Sequence, residues 1–192
     1  MLDLGGFGGT FGTPNWINDR GEVVGFSNGP GDNSQYPFLW RNGKLINLGT
    51  FGGCCGYAQW INEAGVTVGW ALESDNATVH AAVWKDTSIK DLGTLPGDPC
   101  AFAYGINSRN QIVGTAFATS GLCFWPSSSE TDMNAVLWQD GSVVDLNDVV
   151  PGKSQLHLAI AFEADNAGDI AASACRPGSA SATCKLKGTR SS

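Results

Sequence analysis

Apolar residues come in short runs separated by Gly, Asn and Asp, and at no point do they recur with the spacing of a helical face. "WIN" (16–18) and "EVVGF" (22–26) flank Asp19-Arg20-Gly21, and "PFLW" (37–40) and "KLINL" (44–48) flank Arg41-Asn42-Gly43. Asn-Gly between β-type runs is a strong hairpin signal, because the favoured two-residue turn takes φ > 0 at both central positions. The pattern predicts strands in groups of four, a to d, and no helices.

This pattern repeats. "WINDRGEVVG" (16–25), "WINEAGVTVG" (60–69) and "GINSRNQIVG" (105–114) align without gaps, and Ile17, Ile61 and Ile106 stand 44 and 45 residues apart. A second motif follows each: "PFLWRNGKLINLG" (37–49), "AAVWKDTSIKDLG" (81–93) and "AVLWQDGSVVDLN" (135–147), with Trp40, Trp84 and Trp138 in one column. A weaker fourth copy begins at "EADNAGDIAA" (163–172) and continues in "TCKLKG" (183–188), without a strand d. Residues 2–4 of the opening "LDLGG" repeat the sequence of strand d, so the N-terminus is expected to complete the last copy. The expected fold is all-β: a small β-propeller of four four-stranded blades at 14–49, 58–93, 103–147 and 161–188 plus 2–4, in one domain of residues 1–192. Such closure would tie down both termini and remove exposed sheet edges. Met1 reads as a start added to a trimmed mature chain; the alternative is a piece of a longer array.

With these residues in view, the pattern IN-x-x-G-x-VVG, followed by (H)A-x-LW-x-x-G and then "DLGTLPG" (91–97), resembles the bacterial extracellular HAF repeat. The repeat is named for a His-Ala-Phe that stands here as His80-Ala81-Ala82. The resemblance implies an exported bacterial repeat protein, extracellular or periplasmic. It implies little about activity, since its shared positions read as turn glycines and core aromatics.

Candidate chemistry lies where the copies differ. The a–b and c–d turns are short, whereas the d–a and b–c connections are long: 27–37, 49–59, 72–81 and 117–134. In an up-and-down sheet the long connections share one end, and binding residues concentrate on loops carried by a rigid scaffold. The candidate ligand-binding residues there are Tyr36, Tyr57, Asp75, His80, Phe102, Tyr104, Phe124, Trp125 and Asp132. Aromatic faces beside carboxylates and amides suit a sugar, whose apolar ring face stacks while its hydroxyls hydrogen-bond at the edge. Candidate catalytic residues are Glu163, Asp165 and His157, near an expected central funnel. Glycoside hydrolysis needs two carboxyls about 5 to 9.5 Å apart, and ester hydrolysis needs a nucleophile with a positioned base. Oxygen-rich loops such as "GPGDNS" (29–34) and "ESDN" (73–76) admit Ca²⁺, but without the spaced acidic pattern of a dedicated calcium loop. No other cofactor is expected.

Composition narrows the partners. Charged residues make up 15% of the chain, against roughly 25% in ordinary globular proteins. The 26 glycines fit a chain of many tight turns. A net charge of −7 with 11 scattered Lys and Arg argues against nucleic acid and anionic membranes, since phosphate contacts need clustered cations. No apolar run approaches the 18 or so residues of a membrane helix.

Six cysteines, Cys54, Cys55, Cys100, Cys123, Cys175 and Cys184, favour disulfides in an exported chain. Cys175 ends strand b and Cys184 begins strand c of the fourth copy, so this is the favoured pairing. A thiolate metal site is the rival for the others, although C-x-x-C spacing is missing. The function expected is a secreted binding or interaction module for a glycan or small molecule. The alternative is an ester or glycoside hydrolase working from the same funnel.

Overall fold

The computed structural model describes residues 2–119, 123, 133–150, 156–176 and 185–189. The chain is all-β. Strands β1 (Gly12–Ile17), β2 (Val23–Asn28), β3 (Gln35–Arg41) and β4 (Lys44–Asn47) form one antiparallel meander, unit 1. Strands β5 (Gly52–Ile61), β6 (Val66–Glu73), β7 (Val79–Lys85) and β8 (Ser88–Asp91) form unit 2. A single parallel pair, Gln35 with Cys55, joins the two into an eight-stranded sheet. Unit 3 is the four-stranded sheet of β9 (Cys100–Ile106), β10 (Ile112–Phe117), β11 (Met133–Gln139) and β12 (Ser142–Asp145). A short helix, α1 (Leu146–Val149), follows, capped by the Asp145 carboxylate on the Asn147 amide. Unit 4 has three strands, β13 (His157–Ala164), β14 (Ile170–Cys175) and β15 (Lys185–Thr189).

The expected four-bladed propeller is therefore not the architecture. Among the described residues the sheets have eight, four and three strands, none of them closed, and β15 has β14 as its one strand partner. Residues 2–4 carry no strand. The Asp3 carboxylate accepts from the Gly5 amide, and the chain turns at Gly5 (φ +78) and again at Gly8 (φ +96), a region glycine enters without steric cost. It then lies along β2, where Phe7 N–H donates to Ser27 Oγ and Gly9 N–H to the Asn28 carbonyl. The same Asp/Asn-to-glycine turn ends β4 (Asn47 to Gly49) and β8 (Asp91 to Gly93). The N-terminus thus keeps the ending of a strand d without its pairing.

Successive units meet through one recurring interface. The b-strand valine of each unit packs on the a strand of the next: Val24 with Ala58 and Ile61, Val68 with Ala103 and Ile106, Val113 with Ala161 and Ala164. An amide ladder runs alongside. Asn18 donates to the Asn62 carbonyl (3.1 Å), Asn62 to the Asn107 carbonyl (3.0 Å) and Asn107 to the Asp165 carbonyl (2.8 Å). The tryptophan column closes the other side, with the Trp84 indole on the Gly49 carbonyl (3.2 Å) and the Trp138 indole on the Gly93 carbonyl (3.0 Å). Buried polar groups are thus paired across each boundary, which makes the contact directional as well as apolar.

Within units 1 to 3, strand b passes so close to strand a that only glycine fits. A Cβ on Gly25, Gly69 or Gly114 would run into the carbonyl oxygen of Thr13, Tyr57 or Phe102, respectively. A register shift accompanies each. Unit 4 carries Ala172 at this place, and β13 shifts register twice.

Candidate functional site

Strand b ends and the following strand a begins at the long-loop end of the sheets, and the aromatic side chains there form one ribbon. It runs from Phe11 through Phe26, Tyr57, Trp70, Phe102 and Tyr104 to Phe162, with successive ring centres 4.9–6.5 Å apart. Such offset and edge contacts are the preferred geometries for aromatic pairs. Tyr57 and Trp70 lie nearly parallel, 8° apart, and both are half-buried. The two ends are open: Phe11 is 60% exposed and Phe162 41%. Asn15 anchors the middle, its amide on the Ala58 carbonyl and its oxygen accepting from the Tyr57 hydroxyl at 3.1 Å.

The candidate residues fall into separate groups. Tyr57, Phe102 and Tyr104 belong to the ribbon. Burial pushes the Tyr104 hydroxyl up to about 12. Tyr36 lies elsewhere in unit 1, edge-on to Phe7. His80 sits on β7 between two carboxylates, its Nδ1 2.8 Å from Asp91 Oδ2 and 3.4 Å from Glu73 Oε1. Asp75 is committed to its own turn. It accepts from the Thr78 hydroxyl and from the Thr78 and Ala77 amides, and these bonds, led by Thr78, hold its carboxyl at about 2. Phe124, Trp125 and Asp132 lie outside the described residues.

The three catalytic candidates are spread along β13 and the turn that follows it. His157 begins β13, with Nε2 2.7 Å from the Met133 carbonyl, while Glu163 is near its other end. Six residues of extended chain separate them by about 20 Å. Asp165 is a turn residue: its Oδ1 accepts from the amides of Asp169, Gly168 and Ala167, and these bonds, Asp169 foremost, lower its pKa. Nor are the oxygen-rich loops open cages. Asp32 binds the Thr10 amide and hydroxyl and the Asn28 amide, as Asp75 binds its own turn.

Glu73, His80 and Asp91 together present ligand atoms within 4.8 Å of one another, the spacing of a divalent-cation site; here the imidazole hydrogen-bonds to Asp91 and lies beside Glu73. Glu73 stood in the oxygen-rich "ESDN" loop, but Asp91, in the "DLG" motif, was not singled out from the sequence, and the signal was there in β7 and β8 being hairpin neighbours. Phe26, Trp70 and Phe162 were also missed, although Phe26 and Trp70 share a column of the repeat.

Disulfides stiffen the same end. Cys100 is bonded to Cys123 and Cys54 to its neighbour Cys55. Among the described residues no cysteine is free, which leaves no thiolate metal site there. Cys175 is disulfide-bonded; Cys184, its favoured partner, lies outside the described residues. Among the described residues no helix is long and apolar enough to cross a membrane. No family model matches the chain, and no curated protein is similar to it.

Proposed function

We propose that this protein is a binding module of an exported bacterial repeat protein, with its ligand site on the aromatic ribbon at the long-loop end. The ribbon carries this reading. It crosses all four units, is open at both ends, and holds a half-buried Tyr57–Trp70 pair with parallel rings between the buried Phe26 and Phe102. The rings that stand in water are those at its ends, Phe11 and Phe162, and exposed apolar groups continuous with a buried aromatic row suit a ligand site. A carbohydrate fits best, because ring C–H faces stack on aromatic faces while nearby groups such as Asn15 hydrogen-bond hydroxyls. Extracellular or periplasmic location is supported by the disulfides, which persist in oxidising compartments. The hydrolase reading draws no support from His157, Glu163 and Asp165, which stand apart.

Isothermal titration and affinity electrophoresis against soluble glucans, xylans and chitin oligomers test the proposal, with Phe11→Ala and Trp70→Ala run beside the parent. Binding to at least one polysaccharide is expected, weakened tenfold or more by Trp70→Ala and less by Phe11→Ala. No binding at millimolar sugar, or binding indifferent to both changes, would sink it.

A further inference from the structure

Each unit has a front face that meets the next unit and a back face that meets the previous one. A front face offers an Asn side-chain amide, a b-strand valine and a glycine carbonyl after strand d. The back face that receives it offers a backbone carbonyl, an a-strand isoleucine or alanine and a tryptophan N–H. Three junctions are filled by the asparagine bond and the valine contact, and the first two of them also by the tryptophan bond. The back of unit 1 and the front of unit 4 are left over, and they do not match.

On the back of unit 1 the receiving groups are intact. Ile17 is 60% exposed, whereas the equivalent Ile61, Ile106 and Ala164 are 1%, 4% and 6% exposed. Trp40 is half-buried with no indole partner, whereas Trp84 and Trp138 are buried and bonded. The Asn18 carbonyl accepts only its own turn amide, from Gly21, while those of Asn62, Asn107 and Asp165 each accept a second bond from the unit before.

The front of unit 4 has lost the matching groups. Asp165 replaces the donor asparagine and has no side-chain N–H to give. Ala171 takes the valine position and is exposed. Facing Asn18, Asp165 would set one acceptor against another. A second copy of this chain, docking by the front of its unit 4, is therefore the wrong partner.

We propose that the back face of unit 1 is a docking site for a repeat unit of the same class that retains the donor asparagine and the b-strand valine. The argument is the continuity of an interface that the molecule builds three times. Residues 2–5, with the sequence of a strand-d ending, could supply the fourth strand of the docked unit.

The test gives the chain the missing front. Asp165→Asn with Ala171→Val restores the donor and the valine, and is compared with the parent by sedimentation velocity across a hundredfold concentration range. The parent is expected to remain a monomer, and the double variant to form head-to-tail oligomers at least tenfold more tightly, reversed by adding Ile17→Glu. A double variant that stays monomeric overturns the proposal, as does association that Ile17→Glu leaves intact. Should the double variant fail to fold, Ile17→Glu in the parent still decides. An open face predicts a melting temperature within about 2 °C of the parent, and a large drop would mean that the face is already covered. Parent oligomers that depend on Ile17 would make a second copy the occupant and also overturn it.

Discussion

Ile17 and Ile61 sit at the same place in two copies of Trp-Ile-Asn, one on β1 and the other on β5. Yet Ile61 is shut in behind Val24 while Ile17 stands in water. Local sequence and backbone are nearly the same at the two sites, so the difference lies entirely in the neighbour. Burial here is conferred by the adjoining unit, as expected where stability is the sum of unit and nearest-neighbour terms.

Mutation can break the comparison most strongly at this pair. Ile61→Ala is expected to cost about 2–5 kcal/mol in urea unfolding, and Ile17→Ala to stay within about 0.5 kcal/mol; equal losses would show that Ile17 is covered in solution. The ladder comes next. Asn62→Asp gives an interior unit the acceptor that unit 4 carries at Asp165, removes the bond to the Asn107 carbonyl, and is expected to cost about 1–3 kcal/mol. Asp165→Asn alone should change stability little, because nothing stands before it to accept the new donor.

A smaller effect separates the tryptophans. Trp84→Phe is expected to lose about 1 kcal/mol more than Trp40→Phe, since only Trp84 gives up a hydrogen bond to the previous unit. A double-mutant cycle with the neighbouring unit would localise that term.

The mildest test is titration. Tyr104, covered by Phe102 and Phe162, has its folded pKa raised to about 12 from 10. The folded state then holds this proton more tightly than the unfolded one, so stability is unaffected below pH 10 and falls as pH rises from 10 towards 12. Ultraviolet titration of the native protein should show one of its three tyrosines ionising late, and Phe162→Ala should bring it earlier. Asp75 runs the other way. Its carboxyl, lowered to about 2, contributes stability above its ordinary value of 3.8 that is lost as pH falls towards 2, and Asp75→Asn should blunt the acid limb of the stability curve.

Much of this was legible in the sequence. The Asn-Gly and Asp-Gly turns, the 44-residue period and the alternation of short apolar runs gave all-β structure and the order of strands within each repeat. The closure did not follow. Matching residues 2–4 to strand d was sound as sequence, but pairing needs a partner strand in reach, and Gly5 and Gly8 turn the chain onto β2 instead. The site was legible in part for the same reason. Tyr57, Phe102 and Tyr104 were visible as loop-end aromatics, but Phe26 and Trp70 looked like core residues until strand order placed them between units. Asp165 stood out because its column holds asparagine elsewhere, which admits either an acid facing a channel or plain turn chemistry, and the second is what the structure shows. Its neighbours Ala167, Gly168 and Asp169 claim the carboxylate through their amides, a local effect that column comparison does not reveal.

The asparagine ladder has a further consequence, because every rung points the same way along the chain. Asparagine and aspartate differ at this position by one atom in place of another, an amide nitrogen exchanged for an oxygen, and the codons of the two differ by a single base. In an array built like this one, asparagine at this position offers the next unit a donor and aspartate withholds it. A single base is therefore enough to add or remove the polar half of a junction between units, while the apolar contact beside it is left as it was.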